Sequence, residues 1–189
     1  MSNDIDIIGI VISYLLGSVP FAVIVAKLSG IGDITKQGSG NPGATNMARV
    51  GGKKLGAITL ILDALKGFAA AYFFGLWGAV AAILGHCFSV FLKFKGGKGV
   101  ATTIGAFFAL SPILGGLTIL IWLITFALFR ISAIAALAAL NIVPFFALYY
   151  YDQVTYSVIM AIGLFITWRH NSNIKKLLAD AEAEEKSSD

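Results

Sequence analysis

The sequence predicts an all-α integral membrane protein, and three observations carry that expectation. Of its 189 residues, 58% are hydrophobic and only 13% are charged, against about 25% charged in soluble domains. The apolar residues gather into segments at roughly 5–27, 55–75, 77–92, 100–111, 112–128, 131–150 and 154–169, and a span needs about 20 residues, or fewer where it is re-entrant or buried in protein. Thirteen of the fourteen lysines and arginines, all but Lys66, lie between or after these segments on what alternation makes a single side. The positive-inside rule makes that side cytoplasmic. The expected architecture is about seven transmembrane helices, with the N-terminus outside, the C-terminus cytoplasmic and some spans short or re-entrant.

Each element follows in order. The first span, "IDIIGIVISYLLGSVPFAVIVAKL", is preceded by Asp4 and Asp6 rather than by cations and shows no small-residue cleavage site, so it is a retained helix and not a signal peptide. "GLWG" at 75–78 separates the second and third segments on the outside. Lys98 and Arg130 should both be cytoplasmic, so the chain between them crosses an even number of times, turning near "SPILGG" (111–116) where Pro112 and two glycines break the helix. The arm from Val100 to Leu110 reaches only about 16 Å at helical rise, which places "FKGGKG" just before it partly sunk in the protein. "YYYDQ" at 149–153 falls outside, and residues 176–189 form a charged, frayed cytoplasmic tail. With no repeat and no β-pattern, residues 1–189 are expected to form a single transmembrane domain. Cys87, alone in an apolar run, can form no internal disulfide and is expected to be a buried hydrophobe.

Three polar loops carry the chemistry. "GSGNPGATN" (38–46) spells G-x-G-x-x-G, but no β-strand leads into it, so dinucleotide binding is excluded. Its glycines let backbone amides approach an anion, Ser39, Asn41, Thr45 and Asn46 add small donors around Gly40, and Arg49 follows with a planar fork suited to phosphate. "FKGGKGVATT" (94–103) repeats the logic with Gly96, Gly97 and Gly99, Lys95 and Lys98, and a helix start. Gly99 stands where a Walker loop needs Ser or Thr, which excludes nucleotide triphosphate hydrolysis. The third cluster, "WRHNSNIKKLL" (168–178), holds Arg169, His170 and Asn173; it also reads as an interfacial Trp with cations completing a helix end.

Three donor-rich, acid-poor loops on one membrane face point to phosphate groups at a lipid interface. Asp33 is the only acid in the first two loops, and His86 and His170 lack partner ligands, so no metal and no cofactor are expected. Asp63 and Lys66 share one helix face about 12 to 17 Å into the second span, where an unpaired charge costs roughly 2.5–3.5 kcal/mol. A structural ion pair beneath the site is the favoured reading, a catalytic or transport role the other. His86 is expected to be a packed, hydrogen-bonded histidine rather than an acid or base.

"GSGNPGATN" with Arg49, "FKGGKGVAT" and "RHNSNIKKL" together resemble the three signature loops of the bacterial acyl-phosphate:glycerol-3-phosphate acyltransferase family, the PlsY type; "GSVP", "LDALKG" and "GHCFSVFLKFKGGKG" fit its spans as well. The likeness covers essentially the whole chain. Ser89 stands where the family pattern has proline, a change expected to matter little, and Lys176 where it more often has arginine. The resemblance implies an inner-membrane enzyme with its active site on the cytoplasmic face. It would move a fatty acyl group from acyl phosphate to the 1-hydroxyl of glycerol 3-phosphate in the first acylation of phospholipid synthesis. Ser39 and Arg49 would bind the glycerol phosphate with Lys98 nearby, Gly96, Gly97 and Gly99 would lie along the acyl phosphate, and His170 and Asn173 would shape the acceptor site. The implied partners are the two substrates and the bilayer, with no nucleic acid and no obligate protein partner. The residues alone leave an organic-phosphate transporter and an adaptor as rivals, which the odd span count and the clustering of motifs on one face disfavour.

Overall fold

The computed structural model describes residues 6–188, with side chains through Ala183. Asp4, Ile5, where the first span was expected to begin, and Asp189, at the end of the tail, lie outside the described residues. Each expected apolar segment contains a helix: α1 (Ile7–Ser18) and α2 (Phe21–Leu28), α4 (Lys53–Cys87), α5 (Val100–Leu110), α6 (Pro112–Phe129), α7 (Ser132–Tyr150) and α8 (Gln153–Arg169). A short α3 (Ala44–Gly51) follows the first polar loop, and α9 (Asn171–Ser188) ends the chain. No strand occurs among the described residues. The stretches Ile7–Leu28, Lys53–Leu92, Pro112–Phe129 and Ser132–Tyr150 are long and apolar enough to cross a membrane. The exterior is oily: Ile7 is 73% exposed, Phe73 71% and Leu128 73%. A soluble monomer rarely carries so much apolar surface.

The chain divides into two compact units, Met1–Leu120 and Ile121–Asp189. In the first, α4 is two limbs: Gly75, at φ 63° and ψ −150°, turns the chain back inside the expected "GLWG" break. Only glycine adopts that conformation without strain. Helix α1 runs against the returning limb, where Gly17 meets the backbone of Ala82 and Gly85 that of Tyr14. Helix α5 lies on the outgoing limb, with Gly67 against Thr102 and Gly105 against Ala64. Missing side chains at these crossings let the backbones touch, as in membrane helix pairs generally.

Three features depart from expectation. The first span is interrupted at Val19–Pro20, because proline has no N–H to continue the ladder and pushes its predecessor out of the helical region. The turn near 111–116 narrows to Ser111, since Pro112 opens α6 at a position where its missing N–H costs nothing, and the helix then runs through both glycines. The acidic tail continues as α9 to Ser188 rather than fraying, as its run of Ala, Leu, Glu and Lys favours.

In the second unit α7 packs on α8, with Gly163 against the Leu140 backbone. Asn141 on α7 donates to the Thr167 hydroxyl on α8 at 2.8 Å. Asp152 caps α8 through the Val154 and Thr155 amides.

Candidate functional site

The first polar loop is held by one buried side chain. Asn46, 1% exposed, donates to the Gln37 carbonyl at 2.9 Å and to the Ile34 carbonyl at 3.3 Å, and accepts from the Ser39 amide at 2.9 Å. Both its N–H groups are spent inside the loop, so Asn46 shapes the turn rather than offering the donor expected for a ligand. Met47 on α3 is buried with Ala22, Val25 and Ala26 of α2 and with Ile34, which seats the loop on the unit. Ser39, Thr45 and Arg49 remain exposed, Gly40 and Asn41 half-buried. Thr45 and Arg49 stand four residues apart, on one face of α3. Asp33 opens the loop, its carboxyl held below the ordinary range by bonds from the Thr35 hydroxyl and amide.

The second loop is built from backbone. The returning limb of α4 ends at Cys87, and the Gly96 and Gly97 amides then donate to the Cys87 and His86 carbonyls at 3.1 and 3.0 Å, so these two amides, like the side-chain N–H groups of Asn46, hold the loop rather than standing free for an anion as expected. A side chain on either glycine would collide with what lies beneath, the His86 carbonyl for Gly96 and the His86 imidazole for Gly97. Gly97 and Gly99 are buried, Lys98 is half-buried and Lys95 is exposed. Gly99, at φ 87°, opens α5 and accepts from the Thr103 hydroxyl at 2.9 Å. The loop is therefore partly sunk into the unit at Gly97 and Gly99, in line with the short 100–110 arm, while Phe94 and Lys95 stay exposed.

Below both loops lies a small cavity of about 10 Å³, enough for roughly one water. It is bordered by Pro42 of the first loop, Gly97 of the second, and Asp63, Lys66 and His86. Asp63 and Lys66 are ion-paired at 2.8 Å and almost fully buried. The structure thus brings the first two predicted loops together over the predicted ion pair. The third cluster belongs to the second unit. There His170 is 4% exposed and its Nδ1 donates to the Ile166 carbonyl at 2.8 Å, which puts the lone pair of a neutral ring on Nε2. Asn173 is half-buried, with its amide on the His170 carbonyl at 2.8 Å.

Two residues carry more than the sequence assigned them. His86 packs as expected, yet it also meets Asp63 at 3.5 Å and Thr102 at 3.1 Å through Nδ1 while supporting Gly97. The signal for this was present, because Asp63 lies twelve residues before the Gly75 reversal and His86 eleven after it, at the same depth of a helical hairpin. Ser89 is 1% exposed and donates to the Ser18 carbonyl at 2.5 Å. A proline there has no hydroxyl to make that bond.

Fold and site define the class: a multi-pass helical membrane protein with phosphate-suited loops gathered over a buried charge pair. The family model for glycerol-3-phosphate acyltransferase matches residues 7–180, and the chain belongs to that family as a membrane enzyme of the PlsY type. The glycerol-3-phosphate acyltransferase of Methylobacillus flagellatus is 45% identical over 193 residues, covering 97% of each chain. That of Sinorhizobium fredii is 47% identical over 178 residues, covering 90% of this chain and 87% of the relative. The crystal structure of PlsY (YgiH), an integral membrane glycerol 3-phosphate acyltransferase, in its glycerol 3-phosphate form superposes with a TM-score of 0.85 at 38% identity over 92% of both chains. The lysophosphatidic acid form of PlsY gives a TM-score of 0.83 at 38% identity, covering 92% of this chain and 91% of that one.

Proposed function

We propose that this enzyme transfers a fatty acyl group from acyl phosphate to the 1-hydroxyl of sn-glycerol 3-phosphate, giving 1-acylglycerol 3-phosphate and inorganic phosphate, the first acylation of phospholipid synthesis. The observation that supports this most is the approach of the two glycine-bearing loops, whose Pro42 and Gly97 border one cavity, with Arg49 just after the first loop and Lys98 in the second. Two phosphorylated substrates need two such anion sites side by side. Ser39, Arg49 and Lys98 would hold the glycerol phosphate, aided by Gly40, Asn41 and Thr45. Gly96, Gly97 and Gly99, with Lys95, would line the acyl phosphate. His170 and Asn173 are assigned to the acceptor site by the family resemblance, His170 orienting the hydroxyl rather than abstracting its proton.

The chemistry asks little covalent work of the protein. The acceptor oxygen bonds to the acyl carbonyl carbon, the carbon–oxygen bond to phosphate breaks, and the hydroxyl proton leaves on the departing phosphate. The enzyme's task is to align the two substrates, neutralise phosphate charge and exclude water. We further propose that residues 1–189 act as one acyltransferase domain with seven spans, the N-terminus outside and the active site on the cytoplasmic face of the bacterial inner membrane, and that the reaction needs no metal or cofactor. Incubating purified enzyme with palmitoyl phosphate and glycerol 3-phosphate in EDTA tests the reading. Lysophosphatidic acid is the expected product; product formed only from acyl-CoA or acyl carrier protein, or only when metal is restored, would overturn it.

A further inference from the structure

The buried groups under the loops are connected in a way that a simple ion pair does not require. Lys66 Nζ lies 2.8 Å from Asp63 Oδ1 and also donates, at 2.8 Å, to the carbonyl of Val19, the residue at the break between α1 and α2. The Phe21 ring covers the same ammonium, 5.6 Å from its centroid. Helix α2 ends at Leu28, ahead of the 3-10 turn Ile34–Lys36 that precedes the first loop, and packs against α3 through Ala22, Val25, Ala26 and Met47. On the other side of Asp63, the same Oδ1 is 3.5 Å from His86 Nδ1, and the far edge of that ring supports Gly97 of the second loop. Thr102, at 3.1 Å from Nδ1, ties the ring to α5. One carboxylate therefore stands between a cation that fixes the approach to the first loop and an imidazole that fixes the floor of the second.

We propose that Asp63, Lys66 and His86 form a single positioning device that sets the spacing and depth of the two anion loops, with Lys66 anchoring the α1–α2 break, His86 shelving the glycines at 96–97, and Asp63 joining them. A pair serving stability alone would do better as well-packed hydrophobes, which replace buried ion pairs at little or no cost. Three groups in contact and reaching two different loops serve geometry, and misplacement of about 1 Å at a reacting centre costs on the order of a hundredfold in rate. The kinetic consequence assigned here rests on the reading that the two loops hold the two phosphates. The geometric consequence does not.

The test uses the full-length enzyme in detergent, with two variants chosen to fold. His86→Phe keeps the ring but removes the Nδ1 contacts to Asp63 and Thr102, and Asp63→Asn with Lys66→Met removes both charges together, leaving no lone buried ion. Hydrogen exchange of the amides at 96–99 is expected to quicken about tenfold in His86→Phe, with those at 38–46 within about twofold of the parent; in the double variant both loops should quicken. In turnover, His86→Phe should raise the KM of one substrate about tenfold and leave the other within about twofold. A rise for acyl phosphate supports both the device and the substrate assignment. A rise for glycerol 3-phosphate alone supports the device and overturns the assignment. Exchange that is unchanged at 96–99, or raised equally along the whole chain with a lower Tm, would mean that the three residues only pack, and the proposal would be overturned whether or not the enzyme turns over.

Discussion

The two loops of the first unit solve one problem in opposite ways. The loop at 38–46 is organised by a side chain, Asn46, that binds two carbonyls and an amide, and it leaves Ser39, Thr45 and Arg49 exposed. The loop at 94–99 is organised by its own backbone lying directly on the end of α4, and it presents glycines with no side chain at all. A loop organised by side chains is sensitive to what is deleted, whereas one organised by close backbone approach is sensitive to what is added.

The largest effect should come from adding one methyl group to the second loop. In Gly96→Ala the new Cβ falls on the His86 carbonyl, and backbone has nowhere to move, so turnover is expected to fall at least about a hundredfold with the protein still monodisperse on size exclusion. Wild-type kinetics from Gly96→Ala would remove the close approach on which the contrast depends. Next in size is deletion in the first loop. Asn46→Ala leaves the Ile34 and Gln37 carbonyls and the Ser39 amide without this partner, which should lower stability by about 1–3 kcal/mol in thermal unfolding. Asn46→Asp sharpens the point: it retains an acceptor for Ser39 but sets a carboxylate against two carbonyl oxygens, and should be the less stable of the two.

A smaller effect is expected where only the ligand fork changes. Arg49→Lys keeps the charge but not the paired donors, so the KM for glycerol 3-phosphate should rise about tenfold with little change in Tm; an unchanged KM would remove Arg49 from the acceptor pocket. The smallest concerns Asp33, exposed at the loop's start. Its carboxyl is held below the ordinary value by Thr35, so its contribution is present above the unfolded carboxylate's pKa and is lost as pH falls through the lowered one. Asp33→Asn should therefore be slightly less stable than wild type at pH 7, and the gap should close below about pH 4. A gap that widens in acid would reverse the sign of the Thr35 contact.

How much of this could be read from the residues alone depends on the kind of information involved. The apolar segments and the reversal at Gly75 were legible because hydropathy and glycine punctuation are local signals. The sunken second loop was also legible, since eleven residues cannot reach far. The break at Val19–Pro20 had a local signal in Gly17, Ser18 and Pro20, but an apolar stretch of spanning length on 5–27 reads as one helix when length is given more weight than the proline. Asn46 is legible as part of the first loop but its orientation is not: its residue type fits both a ligand donor and a turn staple, and only the backbone path decides between them. The reach of His86 to Asp63 depends on a hairpin that brings residues 23 apart to the same level, and Ser89 passed as a minor departure because its hydrogen bond to Ser18 spans 71 residues.

Sidedness tests the central claim most directly, because two loops cannot share phosphorylated substrates across a bilayer. Lys36 is exposed just before the first loop and Lys95 within the second, and each can be replaced by cysteine while the native Cys87 stays buried. A membrane-impermeant maleimide should label both Lys36→Cys and Lys95→Cys in inverted inner-membrane vesicles and neither in right-side-out ones. Labelling of the two positions from opposite faces would contradict a shared site.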